Sequence, residues 1–147
     1  MRLTEDDARA RLAAHDHGVL ATRHAGRGVD AVPVVYAVDG AGYLGVPVDR
    51  VKPKSTTALQ RVRNLEADRR ATLLVEHWDA ADWSRLWWVR VGLHWEGDDV
   101  AEQEDTLASR LAERYPPYRD RPFDRVLVFR IVEVTGWAAV SGAPAPR

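Results

Sequence analysis

Two lysines stand apart in this chain. Of 21 basic residues only Lys52 and Lys54 are lysine, and both fall in Arg50-Val51-Lys52-Pro53-Lys54-Ser55-Thr56. The proline marks a loop, and Ser55 has the chemistry to cap a helix beginning beside it. Free backbone N–H groups at a helix start, a hydroxyl and two ammonium groups make a natural phosphate site. No Gly-x-x-x-x-Gly-Lys pattern accompanies them, so this is not a P-loop. A solvated basic loop meets the same spacing, and the residues alone leave both readings open.

A second chemical feature is the run Leu86 to Glu96, which alternates as a strand does. Trp87, Val89, Val91, Leu93 and Trp95 share one face and read as core. Leu86, Trp88, Arg90, Gly92 and His94 share the other. Neighbouring Trp87 and Trp88 therefore point in opposite directions, and Trp88 with Arg90 forms an aromatic, cationic surface. That surface suits a subunit interface, a planar anionic ligand, or both.

Histidines say less. His15 and His17 flank the end of a helix, where a metal pair is possible and an ordinary surface pair is commoner. His77 and His94 lie on separate strands and read as structural. No Ser/His/Asp grouping has a nucleophile elbow, so hydrolytic catalysis has no support. Tyr115-Pro-Pro-Tyr118 has the composition of a partner-docking motif, and a helix stop is its commoner meaning.

The whole chain bounds these features. Its 147 residues at 16.5 kDa make one domain, read as residues 1–140 with a flexible tail over 141–147. Hydrophobic residues at 46% and charged residues at 29% are globular values. No apolar stretch approaches the ~20 residues of a membrane helix. The acidic start, Thr4-Glu5-Asp6-Asp7, is unlike a signal peptide, so the expected location is cytoplasmic. The absence of cysteine excludes disulfides and thiolate metal sites. A net charge of −1 gives no bias toward nucleic acid. Charge is nonetheless segregated: Asp49 to Arg70 carries seven basic and three acidic residues, and Glu96 to Asp105 six acidic and none basic.

The elements that must position the site follow from patterning. Thr4 caps a first helix that stops near His15 to Gly18. Strands are expected at Val19–Thr22, Val29–Val38, Tyr43–Val48, Ala71–Trp78, Leu86–Glu96 and Arg125–Trp137. Helices are expected from Ser55 to about Asn64 and from Glu102 to Tyr115. Six strands joined by short connections argue for an antiparallel barrel rather than a doubly wound sheet. Val29–Val38 is apolar on both faces, so a second copy of the chain is expected to cover the outside.

In this order, Val32-Pro33-Val34-Val35-Tyr36, Val51-Lys52-Pro53-Lys54, Arg63-Asn64-Leu65-Glu66 and Asp82-Trp83-Ser84-Arg85-Leu86-Trp87-Trp88-Val89-Arg90 resemble a known group. It is the actinobacterial coenzyme F420-dependent oxidoreductases of the pyridoxamine 5'-phosphate oxidase-like family. The resemblance spans roughly Thr4 to Trp137. It implies a mainly β fold with about three helices: a six-stranded antiparallel split β-barrel, homodimeric, with cofactor sites between subunits. It further implies hydride transfer from a reduced deazaflavin, F420, to a planar conjugated small molecule. Val34, Val35 and Tyr36 would lie along the ring, Lys52, Lys54 and Ser55 would hold its phosphate, and Arg85, Trp87 and Trp88 would lie near the cofactor or across the dimer, the strand faces favouring Trp88 over Trp87 for ligand contact. The same fold with FMN, or a non-catalytic F420- or haem-binding carrier, are the alternatives.

Overall fold

The Thr4 hydroxyl accepts a hydrogen bond of 3.1 Å from the Asp7 N–H and so caps helix α1 (Glu5–Ala14). Glu5, Asp6 and Asp7 occupy its first turn, where the helix dipole favours anions. The computed structural model describes residues 1–49 and 56–140, excepting the side chains of 56–59. Within it lie seven strands: β1 (Gly18–His24), β2 (Gly28–Val34), β3 (Ala37–Val38), β4 (Tyr43–Asp49), β5 (Arg70–His77), β6 (Trp87–Trp95) and β7 (Phe123–Ala138). Two further helices are α2 (Thr56–Ala67) and α3 (Ala101–Arg114). The protein is thus mainly β with three helices, as expected. No described helix is long and apolar enough to cross a membrane.

Seven strands rather than six is a correction, and its cause is instructive. The apolar run expected as one strand, Val29–Val38, breaks at Val35-Tyr36 into β2 and β3. The sheet is antiparallel throughout, in the order β2-β1-β5-β6-β7-β4-β3, so β2 and β3 are its two opposite edges. Yet only two residues join them. Three Cα–Cα steps reach about 11 Å at most. The sheet must therefore roll until its edges meet at Val35-Tyr36, and it stays split beyond that point. Tyr36 locks the junction. Its ring is fully buried, and its hydroxyl donates a 2.5 Å hydrogen bond to the Leu12 carbonyl of α1.

Inside the barrel Leu20, Leu44, Leu73, Val89, Leu127 and Phe129 are all fully buried. Each such side chain contributes about 1.5–3 kcal/mol relative to exposure. The alternation expected for β6 is observed: Trp87, Val89, Val91, Leu93 and Trp95 are buried. A second cluster joins Leu107 and Leu111 of α3 to Val126, Val128 and Phe123 of β7. Gly45 permits that approach. A Cβ there would lie 2.8 Å from Val126 Cγ1 and 2.9 Å from Leu107 Cβ.

Candidate functional site

A cleft of about 290 Å³ opens where edge strand β2 faces α2. Thr22, Arg27, Asp30, Ala31, Val32, Gln60 and Arg61 line it. Its polar wall is built around Asn64, which is almost wholly buried. The Asn64 amide donates to Thr22 Oγ1 at 3.0 Å and to Asp30 Oδ2 at 2.9 Å. Gln60 completes the chain by donating to Asn64 Oδ1 at 2.9 Å. Arg27 grips both oxygens of Asp30 through two bonds of 3.0 Å, sharing Oδ2 with Asn64. The Arg27 bonds first, and that of Asn64 second, hold the Asp30 carboxyl below the usual range.

Arg61 is the cationic member with the most to gain from an anion. Burial pushes its pKa down, and neighbouring Asp49 opposes that shift. Its Nε is buried with no hydrogen-bond partner among the described residues, and so is Asp49 Oδ1. Burying a charged group without full hydrogen bonding is costly. The Tyr118 hydroxyl bonds Asp49, and burial first and Asp49 second push its pKa up to about 12. These groups gather at Asp49, the residue where β4 ends before the lysine loop.

The sequence-predicted residues fall in three places. Lys52, Lys54 and Ser55, with the expected helix cap, lie outside the described residues. Val34 is buried, Val35 half-buried, and Tyr36 wholly in the core with the Arg114 guanidinium 5.4 Å from its ring centroid. Val32, from the same Val-Pro-Val-Val-Tyr run, is the one that reaches the cleft.

Arg85 and Trp88 lie elsewhere. A shallow cleft of about 350 Å³ on the outer sheet face is lined by Leu74, Glu76, Leu86, Trp88 and Arg90. Cross-strand pairing of Leu74 with Arg90 and Glu76 with Trp88 assembles it. The Arg90 guanidinium lies 5.4 Å from the Trp88 ring centroid, within cation–π range. Arg85 is exposed and pairs with Asp79 at 3.7 Å. The two clefts share no lining residue.

Arg27, Asp30, Gln60, Arg61 and Thr22 were not singled out from sequence. The available signal was Asn64 in Arg63-Asn64-Leu65-Glu66, a polar residue next to a helix's apolar stripe. Its strand partners, Asp30 and Thr22, lie 34 and 42 residues away.

No protein-family profile and no curated protein matches the chain. Solved structures do. An FAD-binding protein from Mesorhizobium loti is 19% identical over 92% of this chain and 95% of its own, with a TM-score of 0.67. An FMN-binding protein from Syntrophomonas wolfei is 18% identical over 93% and 85%, with a TM-score of 0.61. A heme-binding protein from Mycobacterium smegmatis is 19% identical over 95% of this chain and 60% of its own, also at 0.61. At such identities the fold alone is shared, and it is a fold whose bearers hold different planar cofactors. The chain has the rolled, split antiparallel sheet of these flavin- and haem-binding proteins.

Proposed function

We propose that this chain is an oxidoreductase that binds a phosphate-bearing isoalloxazine or deazaflavin cofactor and works as a homodimer. The observation that carries the reading is Arg61: a half-buried guanidinium whose buried Nε has no hydrogen-bond partner among the described residues, on a cleft it lines together with Val32 and Asp30. Such a group fits a phosphate, and Lys52, Lys54 and Ser55 are the neighbours in sequence that would complete the grip. FMN is the first candidate, in keeping with the flavin-binding neighbours. F420 is the second, favoured by the resemblance carried in Asp82-Trp83-Ser84-Arg85-Leu86-Trp87-Trp88-Val89-Arg90.

When bound, such a ring supplies hydride chemistry, so few protein acids and bases are required. This chain's own residues would bind, orient and exclude water. Arg61 with the lysine loop would fix the phosphate, Val32 and Val35 would flank the ring, and the Asn64 clasp would keep β2 and α2 at constant spacing. A cleft of about 290 Å³ falls just below the roughly 300–1,000 Å³ of ligand pockets. A second wall is therefore needed, and the outer face bearing Trp88 and Arg90 on a partner subunit would supply it. The substrate class that fits is a planar conjugated small molecule.

The test is to titrate the apo-protein separately with FMN, F420, riboflavin and haem, following tryptophan fluorescence. Binding of FMN or F420 well above that of phosphate-free riboflavin supports the reading, and turnover with a reducible acceptor establishes the enzyme. Haem binding with neither flavin nor deazaflavin would replace it with a carrier role.

A further inference from the structure

His15-Asp16-His17, where α1 runs into β1, has a geometry the cofactor cleft does not use. Backbone at His15 is extended, with φ −83° and ψ 155°, so His15 and His17 project to the same side. Their rings stack at 5.4 Å with an interplanar angle of 28°. The Asp16 carboxylate meets His17 Nδ1 at 2.6 Å. One donor atom from each of the three residues lies within 4.8 Å of the other two.

The tripeptide is held in place by its surroundings. Its first N–H donates to the Arg11 carbonyl at 3.0 Å, ending the helix. Arg114 donates to the His15 carbonyl, and the Tyr115 hydroxyl donates to the Asp16 carbonyl at 2.6 Å. The His15 ring sits edge-on to Trp87 at 5.2 Å. The end of α3, distant in sequence, thus fixes the backbone and Trp87 the His15 ring, while the His17 side chain remains two-thirds exposed and able to swing. Tetrahedral donors around zinc stand about 3.4 Å apart, given metal–ligand bonds near 2.0–2.1 Å. Rotation of the exposed His17 side chain covers the difference.

We infer that His15, Asp16 and His17 form a binding site for a divalent transition-metal ion. Two imidazole nitrogens and one carboxylate suit zinc, nickel or copper(II), whereas magnesium and calcium require oxygen-rich sets. Three protein ligands leave further positions for water or an exogenous ligand. Arg11 and Arg114 stand on the protein side and oppose a dication, which places the ion at the solvent side of the tripeptide.

The experiment is calorimetric titration of the untagged chain with zinc chloride in excess magnesium chloride. One zinc per chain is expected in the wild type. His17→Ala and Asp16→Asn should each weaken binding tenfold or more, with circular dichroism unchanged, and His94→Ala should leave it intact. Absence of stoichiometric binding, retention of affinity in both tripeptide variants, or an equal loss in His94→Ala would overturn the assignment. None of these readouts involves flavin, so the cofactor proposal stands or falls separately.

Discussion

Asn64 of α2 donates a 2.9 Å hydrogen bond to Asp30 of β2, tying a helix to the free edge of the sheet. The same amide holds Thr22 on β1. Asn64→Ala removes both bonds and strands a buried hydroxyl, at a cost of about 1–3 kcal/mol. Urea unfolding should show this as a lower midpoint with an unchanged slope. No loss of stability would mean that the clasp is decorative.

Acid should act through this clasp. Asp30 is held low by Arg27 and Asn64, and Asp68 lower still by Arg70 and Arg23. Unfolded carboxyls take protons near pH ~3.9. These two therefore favour the fold fully above that range, and the contribution is lost as pH falls through their folded values. The melting temperature should hold from pH 7 to about 5 and decline below about 4, less steeply in an Asp30→Asn/Asp68→Asn variant. An identical decline in that variant would remove these carboxylates from the account.

Trp87 and Trp88 should behave oppositely. Trp87 is buried with Arg11 5.3 Å from its ring centroid, whereas Trp88 faces outward beneath Arg90. Trp87→Ala should cost about 3–5 kcal/mol, and Trp88→Ala should spare the fold while weakening cofactor binding. Thermal melts beside flavin titrations separate the two. Loss of stability in the Trp88 variant and of affinity in the Trp87 variant would reverse their assignment.

The two faces of β6 were legible in sequence because strand alternation is local: each residue's direction follows from its neighbour's. The break at Val35-Tyr36 was not. An apolar run reads the same whether it is one strand or two, and what divides it is the closure of a sheet whose edges are brought together by the whole chain. The Arg27–Asp30–Asn64–Thr22 network was hidden for a related reason. Its members sit in a turn, two strands and a helix, and no spacing rule links them. Tyr36 shows the converse: its place in an ordered motif pointed toward the ring, while its hydroxyl is spent on Leu12.

Cross-strand partners Val19 and Leu74 are each 40% exposed on the outer face, beside the cleft holding Leu86 and Trp88. Exposed apolar side chains of this kind, set beside Glu76 and Arg90, are expected to be covered by a second copy. Sedimentation at micromolar concentration should give twice 16.5 kDa, and Leu74→Glu should shift it toward the monomer. A wild-type protein that sediments only as monomer would leave the cofactor cleft without its second wall.

The phosphate grip is tested by comparing two ligands rather than one. If Arg61 and the lysine loop hold a phosphate, each charge-assisted contact is worth roughly 1.5–3 kcal/mol. Arg61→Gln should then weaken FMN binding about tenfold or more, and Lys52→Ala/Lys54→Ala about a hundredfold, the sum being reduced by coupling within one site. Riboflavin has the same ring without the phosphate, so its affinity should barely change in either variant. Added salt should weaken FMN binding to the wild type, because the attraction is ionic. Arg61→Gln also frees Asp49 from its cationic neighbour, so stability must be measured alongside. A folded variant that loses FMN and keeps riboflavin isolates the phosphate contact from any general loosening of the cleft. If both ligands weaken together, Arg61 acts by supporting β4 and α2; if neither weakens, the phosphate lies elsewhere and the proposed orientation of the cofactor is wrong.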